Sequence, residues 1–245
     1  MPALADKFPV IAMDYPGFGN LGMPDPAKYS LSYENYEEKI MSDLYRRLRK
    51  EDAAVLLLDH QTGLFSLVRD FQPDEFKNNV LALAASAKYF KLPTILTTSL
   101  EQGPNGPILP ELKAMFPEAP YIPRPGQINA WDNEEFVAAV KATGKKQLII
   151  AGIVTDVCVA FPALSAINAG FEVFVAVDAS GTFNSVAREA AHQRMAAAGV
   201  QLLNWFAIAC EFHRDWRNDI EGLGALFARY IPDYGNLISS FSAKK

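Results

Sequence analysis

Residues 147–178 read QLIIAGIVTDVCVAFPALSAINAGFEVFVAVD, and this stretch decides the fold. Residues 147–152 and 171–178 are near-continuous apolar runs rich in Val, Ile and Phe, the pattern of strands covered on both faces. Between them residues 155–169 read as a helix that ends at Gly170, where a C′ glycine belongs. A strand, a helix and a second strand at this spacing form a parallel unit. Working outward, residues 53–58, 93–99 and 200–204 supply three more apolar runs. Residues 74–91, 134–142 and 185–198 supply helices, with Asp74 and Ser185 as expected N-caps and Gly199 as a second C′ glycine. The class is therefore α/β: a three-layer α/β/α sandwich around a mostly parallel sheet.

The chain has 245 residues, 50% hydrophobic and 21% charged, enough apolar material for one full core. No apolar run reaches the length of a membrane span, and no basic-then-apolar leader opens the chain, so a cytoplasmic protein is expected. With 23 Lys and Arg against 28 Asp and Glu, the net charge is −5, which argues against nucleic-acid and anionic-membrane partners. Cys158 and Cys210 are too few for a disulfide framework, and His60, His192 and His213 stand singly without metal-ligand spacing.

Residues 1–40 differ from the rest. They hold five of the 16 prolines and six acidic residues against three lysines. Val10 to Gly19 resembles an early strand and loop of α/β-hydrolases, but the chain carries no Gly-x-Ser-x-Gly nucleophile elbow. Gly17, Gly19 and Gly22 match the dinucleotide fingerprint, yet Pro24 and Pro26 follow where a helix must open, so the glycines read as a turn and no cofactor is expected. Residues 1–40 are taken as an appendage, either disordered or a misassigned start, and residues 41–245 as the functional domain.

In open α/β sheets ligands bind at the carboxyl ends of the strands. Asp59 closes the first apolar run, Thr98 and Ser99 close the second, and Cys158 follows the run that ends at Gly152. A carboxylate ending a buried strand is costly unless paired, which makes Asp59 a site candidate. Thr155 is an expected cap for the helix that opens near Cys158, and the positive helix end favours a thiolate. Pro162 lacks the N–H that would bond the Cys158 carbonyl, so an irregular first turn is expected. The alternative for Cys158 is an inert buried thiol, and Cys210, in the strand-like apolar run 205–210, reads as core.

Leu57-Leu58-Asp59-His60-Gln61 and Ala151-Gly152-Ile153-Val154-Thr155-Asp156-Val157-Cys158 resemble motifs of the isochorismatase-like cysteine hydrolase superfamily. Residues 97–107 and 213–219 are similar to its YcaC-type subgroup. The resemblance spans about residues 52–238 and implies a Rossmann-like sheet of about six strands bearing an Asp, Lys and Cys triad. Asp59 and Cys158 match two members, and Arg124 stands at the lysine position. Arginine cannot shuttle a proton, so it stabilises and orients while Asp59 carries the proton. The resemblance further implies a cis peptide at Ile153–Val154 and an oxyanion hole from the Val154 and Cys158 backbone N–H groups.

Phe65, Asn129, Trp131 and Phe161 are candidate pocket walls, each with a core or interface role as the alternative. His60 adjoins Asp59 without a further histidine nearby in sequence, so no metal is expected. The function implied is hydrolysis of a small-molecule amide or related C–N bond through a thioester. A vinyl-ether hydrolase of isochorismate type without a covalent step is one alternative, and a non-enzymatic or redox-sensitive scaffold is another. The resemblance also implies a homo-oligomer, an octamer of two stacked tetramers, with the segment 205–216 and the C-terminal helix as interface candidates.

Overall fold

The computed structural model describes residues 45–243, so the expectations for residues 1–40 lie outside the described part. Six strands form one parallel sheet: β1 Ala53–Leu58, β2 Thr94–Ser99, β3 Tyr121–Arg124, β4 Gln147–Gly152, β5 Glu172–Ala176 and β6 Gln201–Leu203. Their spatial order is β3-β2-β1-β4-β5-β6. After β1 come a single turn, α1 Thr62–Phe65, and the long α2 Pro73–Tyr89. Then follow α3 Pro110–Met115, α4 Glu134–Ala142, α5 Ala160–Asn168 and α6 Ser185–Ala197. Beyond β6 the chain runs through α7 Trp205–His213, α8 Ile220–Tyr230 and α9 Pro232–Ser242.

Two cores result from the alternation of side chains along the strands. Ala53, Val55 and Leu57 of β1 join Ile149 and Ala151 of β4 in the first core, under Phe76 and Val80 of α2, Ile208 of α7 and Phe227 of α8. Ala54, Leu56 and Leu58 turn to the other face with Leu148 and Ile150, under Val140 of α4, Ala163 of α5 and Met195 of α6. Every residue of β1 and β4 is buried. Each large aliphatic side chain so placed stabilises the fold by about 1.5–3 kcal/mol, so these two strands anchor both layers.

Local chemistry explains where the boundaries differ from expectation. Pro73 occupies the first position of α2, so the N-cap is Gln72, while Asp74 and Glu75 sit in the first turn, where their charge suits the helix dipole. Asn184 rather than Ser185 caps α6, accepting from the Ala187 N–H at 2.9 Å. Gly170 and Gly199 follow α5 and α6 at φ 87° and 89°, as C′ glycines do. The run 205–210 is helical, not extended. Trp205, Ile208, Ala209 and Phe212 are buried at helical spacing, and Asn204 accepts from the Ala207 N–H. Strand β3 was missed because it is four residues long, contains Pro123 and lies at the sheet edge, where proline is tolerated. Among the described residues no helix is long and apolar enough to cross a membrane.

Gly152 pairs with Leu58 at the end of the β1–β4 ladder, and a Cβ there would lie 2.3 Å from the Leu58 carbonyl oxygen. Backbone cannot yield as a side chain does. Gly152→Ala is expected to lower unfolding stability by about 1–3 kcal/mol in a denaturant titration. Gly126→Ala, whose Cβ meets nothing within 4 Å, serves as the neutral control. Equal midpoints for the two variants would contradict the close-approach argument.

Candidate active site at the β1–β4 crevice

Strand order reverses between β1 and β4, and such a switch point opens a crevice at the carboxyl ends of the strands. Asp59 leaves β1 there with φ 57°, a left-handed conformation that Asp tolerates better than most residues. Its backbone is pinned: the Asp59 N–H donates to Thr97 O at 2.9 Å, and its carbonyl accepts from the Gln61 N–H at 2.7 Å. The side chain is fully buried.

Arg124, the last residue of β3, is 1% exposed and meets Asp59 from two strands away. Its Nη2 donates to Asp59 Oδ1 in a short ion pair. Nε donates to Thr97 Oγ1 at 3.1 Å, and Thr97 passes its own proton to Ile122 O at 2.6 Å. Nη1 donates to the carbonyls of Gln127 and Ile128. The guanidinium is thus locked by one carboxylate, one hydroxyl and two loop carbonyls.

Cys158 comes from the other side of the crevice. After β4 the chain makes one π turn, Thr155–Val159, before α5 begins. The Val154 carbonyl accepts from both Val157 N–H, at 3.3 Å, and Val159 N–H, at 3.2 Å. The wider turn matches the irregularity that Pro162 imposes on the Cys158 carbonyl. Thr155 does not cap it: its Oγ1 is buried without a partner. The Ile153–Val154 peptide is cis.

The Cys158 thiol stands beside the Asp59 carboxyl, close enough for each to perturb the other. No hydrogen bond of ordinary geometry joins them, and Asp59 Oδ2 remains buried and without a partner. Burial, followed by the negative charge of Asp59, pushes the Cys158 thiol up to about 12. The Val154 N–H, which faces the sulfur, and the charge of Arg124 pull the other way without prevailing. The helix end therefore does not produce a resting thiolate. Burial also raises Asp59 above the ordinary carboxylate range, while Arg124 holds it back. The resting site is a neutral thiol next to a paired carboxylate with one free oxygen.

The other expected residues are more dispersed. His60 is fully buried, its Nε2 donates to Ala179 O at 2.9 Å, and its ring lies near Phe65 and Phe76, so burial depresses its pKa to about 4. Phe65 packs with Phe76 against the first core. Asn129 caps the turn Ala130–Asp132 and donates to Ser165 Oγ of α5 at 3.1 Å. Trp131 lies edge-to-face on Phe136 and Phe171 in the second core, and Phe161 rests on that core under Arg194. Each of these four has a packing or capping contact of its own, and Asp59, Arg124, Val154 and Cys158 come together in the crevice.

Sequence reasoning missed three supports. Thr97 holds Arg124. Gln61 clamps the loop after β2, its amide donating to Ser99 O and Gly106 O and accepting from the Ser99 N–H. Thr182 donates to Asp156 Oδ1 at 2.6 Å, and its N–H donates to Asp70 Oδ1, bracing the turn that carries Cys158. The sequence signal for the first two is a polar residue inside or just after a buried strand. Thr182 has no comparable signal. Among the described residues no group of three His, Cys, Asp or Glu is placed to hold a metal ion.

A family profile described as an isochorismatase domain matches residues 53–206. A curated relative from Escherichia coli K12, "Probable hydrolase YcaC", is 71% identical over 201 residues, 82% of this chain and 97% of the relative. The crystal structure of the Escherichia coli protein, described as an octameric hydrolase of unknown specificity, superposes with a TM-score of 0.81 over 82% of this chain and 98% of its own. YcaC from Pseudomonas aeruginosa, solved with hexane-2,5-diol and covalent acrylamide, is 73% identical with a TM-score of 0.80, covering 81% and 98%. With the Rossmann-like sheet and the crevice in place, these matches make the conclusion plain: the chain belongs to the isochorismatase family, among its YcaC-type hydrolases.

Proposed function

We propose that this enzyme hydrolyses a small amide or related C–N bond through a thioester on Cys158. The observation that carries the reading is the meeting of the Cys158 thiol with the free Oδ2 of an Asp59 whose other oxygen is held by Arg124. The thiol is protonated at rest, so attack on the carbonyl carbon and transfer of the thiol proton to Asp59 Oδ2 go together. The protonated Asp59 then gives that proton to the departing amine as the C–N bond breaks and the thioester forms. Asp59, again a carboxylate, takes a proton from water, whose oxygen attacks the thioester. That proton returns to the sulfur as the acid leaves. Arg124 keeps its charge throughout and holds Asp59 in place. The Val154 and Cys158 backbone N–H groups serve the carbonyl oxygen as negative charge develops on it.

That the Pseudomonas aeruginosa relative carries covalent acrylamide supports a reactive nucleophile in this subgroup. Ammonia release from a panel of small amides tests the reading. Cys158→Ser is expected to lower kcat by about a thousandfold or more, and Asp59→Asn by about 10²–10⁴. A Cys158→Ser protein that turns over like the parent would sink the covalent route and favour the vinyl-ether alternative.

The acid limb of the pH–rate profile should lie above the usual carboxylate range, because Asp59 must be ionised to act as base. Removing a cation that favours the charged carboxylate moves the limb further up. Arg124→Gln is therefore expected to shift it to higher pH, and to cost about 3–5 kcal/mol of stability by leaving Asp59 buried and unpaired. Arg124→Lys restores a charge and should leave the limb nearer its parent position. A limb unmoved in Arg124→Gln would contradict the pairing.

Self-association follows the same relatives, since the Escherichia coli protein is described as octameric. We propose that α8 and α9 take part, because α9 buries none of its residues while Ile220, Leu237 and Phe241 stay more than 60% exposed beside a groove floored by Gly224, Ala225 and Ala228. Leu237→Lys with Phe241→Glu, both at exposed positions, should lower the mass found by sedimentation at micromolar concentration. An unchanged mass would move the interface elsewhere.

A further inference from the structure

The charge inventory of the crevice and its rim constrains what can enter, on the reading that Cys158 is the nucleophile. Arg124 has five N–H donors, and four of them are already committed: to Asp59 Oδ1, Thr97 Oγ1, Gln127 O and Ile128 O. The bidentate grip of two parallel guanidinium N–H groups on a carboxylate is not available here. The guanidinium charge is already matched by Asp59, and both side chains are fully buried. A substrate anion would be a third charge in that space without a counter-charge, next to the carboxylate oxygen that must take a proton.

Ionic groups on the surrounding loops are engaged as well. Asp70 faces Arg188 at 3.7 Å, Asp156 accepts from Thr182, and Glu101 accepts from Tyr121 Oη. Arg69 lies out in solvent with Nη1 on the Val68 carbonyl, where water screens its charge.

The rim also carries large apolar side chains. Leu67 follows β1, Leu100 follows β2, Ile128 follows β3 and Phe183 follows β5, and all four are exposed. These loops converge on the crevice: Ile128 O holds Arg124, and the residue before Phe183 holds Asp156. Large apolar side chains left in water on the loops that follow four strands at their carboxyl ends suit a ligand with an apolar portion.

We propose that the Cys158 site accepts small uncharged amides bearing an apolar substituent and rejects molecules that carry a carboxylate at the reacting end. Two alkylating agents of nearly equal size, iodoacetamide and iodoacetate, separate these cases on the full-length protein. In each reaction a Cys158 Sγ–C bond forms, iodide leaves and the thiol proton passes to Asp59. Modification at Cys158 and at Cys210 is followed separately by peptide mass, and rates are normalised to glutathione, which removes the intrinsic difference between the reagents. Cys158 is expected to favour iodoacetamide by on the order of a hundredfold, with Cys210 near parity.

N-hexyl iodoacetamide should react about tenfold faster again at low concentration, a gain that Leu67→Ser with Phe183→Ser removes when it is read as the ratio of the two amide reagents on the same variant. A normalised ratio near one at Cys158, with both reagents reacting, overturns the inference and leaves the nucleophile standing. Modification of Cys210 but not of Cys158 by either reagent overturns the inference together with the nucleophile.

Discussion

The ion pair between Asp59 and Arg124 constrains the rest of the site. Both groups are stripped of water, and each ion so buried carries a penalty of several kcal/mol unless its partners are well placed. Asp59 sits at the end of β1 and Arg124 at the end of β3, with β2 between them, so the pair exists only when three strands keep their register. Thr97 belongs to that intervening strand and closes the gap. Its hydroxyl accepts from the Arg124 Nε–H and donates to the Ile122 carbonyl of β3, which ties the polar network to the ladder itself. Register and charge placement are one requirement here.

The same pair reaches into the loops. The two carbonyls that accept from Arg124 Nη1 belong to Gln127 and Ile128, so the guanidinium shapes the segment after β3 as firmly as a turn sequence would. On the opposite wall Gly152 lets β4 approach the Leu58 carbonyl, and the π turn after it sets Cys158 against the carboxyl. The extra residue in that turn is absorbed by the Val154 carbonyl, which takes two N–H donors, and by Pro162, which has none to give. Thr182 braces the turn from the segment after β5 through Asp156.

What was legible in the sequence follows from which signals survive tertiary context. Strands β1, β4 and β5 announce themselves because a strand buried on both faces is mostly apolar, and β2 does so through the β-branched residues around its Ile95-Leu96 centre. Strand β3 does not, because an edge strand of four residues has little pattern to show. Residues 205–210 misled for the opposite reason: an apolar stretch in a helix covered by neighbours looks strand-like until its burial is read at spacing 3 and 4. Asp59 was visible because a carboxylate at the end of an apolar strand needs an explanation. Arg124 was visible only through resemblance, since an arginine before Pro125 in a short strand has no local signature. The carbonyls that hold it were invisible, because backbone acceptors are the same in every sequence. Phe65, Trp131 and Phe161 stand out as large aromatics in the sequence, and each packs against the core beneath it.

In the proposed mechanism, arginine at this position also decides how the proton moves. A lysine amine exchanges its proton and can share the titration of a neighbouring carboxylate, whereas a guanidinium does not, so the proton inventory of the crevice reduces to one thiol and one carboxyl. The thiol is pushed up to about 12 by burial and the neighbouring carboxylate, so in the resting state the proton stays on the thiol. A preformed thiolate is then a rare species, and in the proposed mechanism the nucleophile is generated in the step that uses it. A thiol so held is quiet toward oxidants that require thiolate, and on the proposed mechanism its reactivity depends on a carbonyl arriving where Asp59 Oδ2 can take the proton at the same moment.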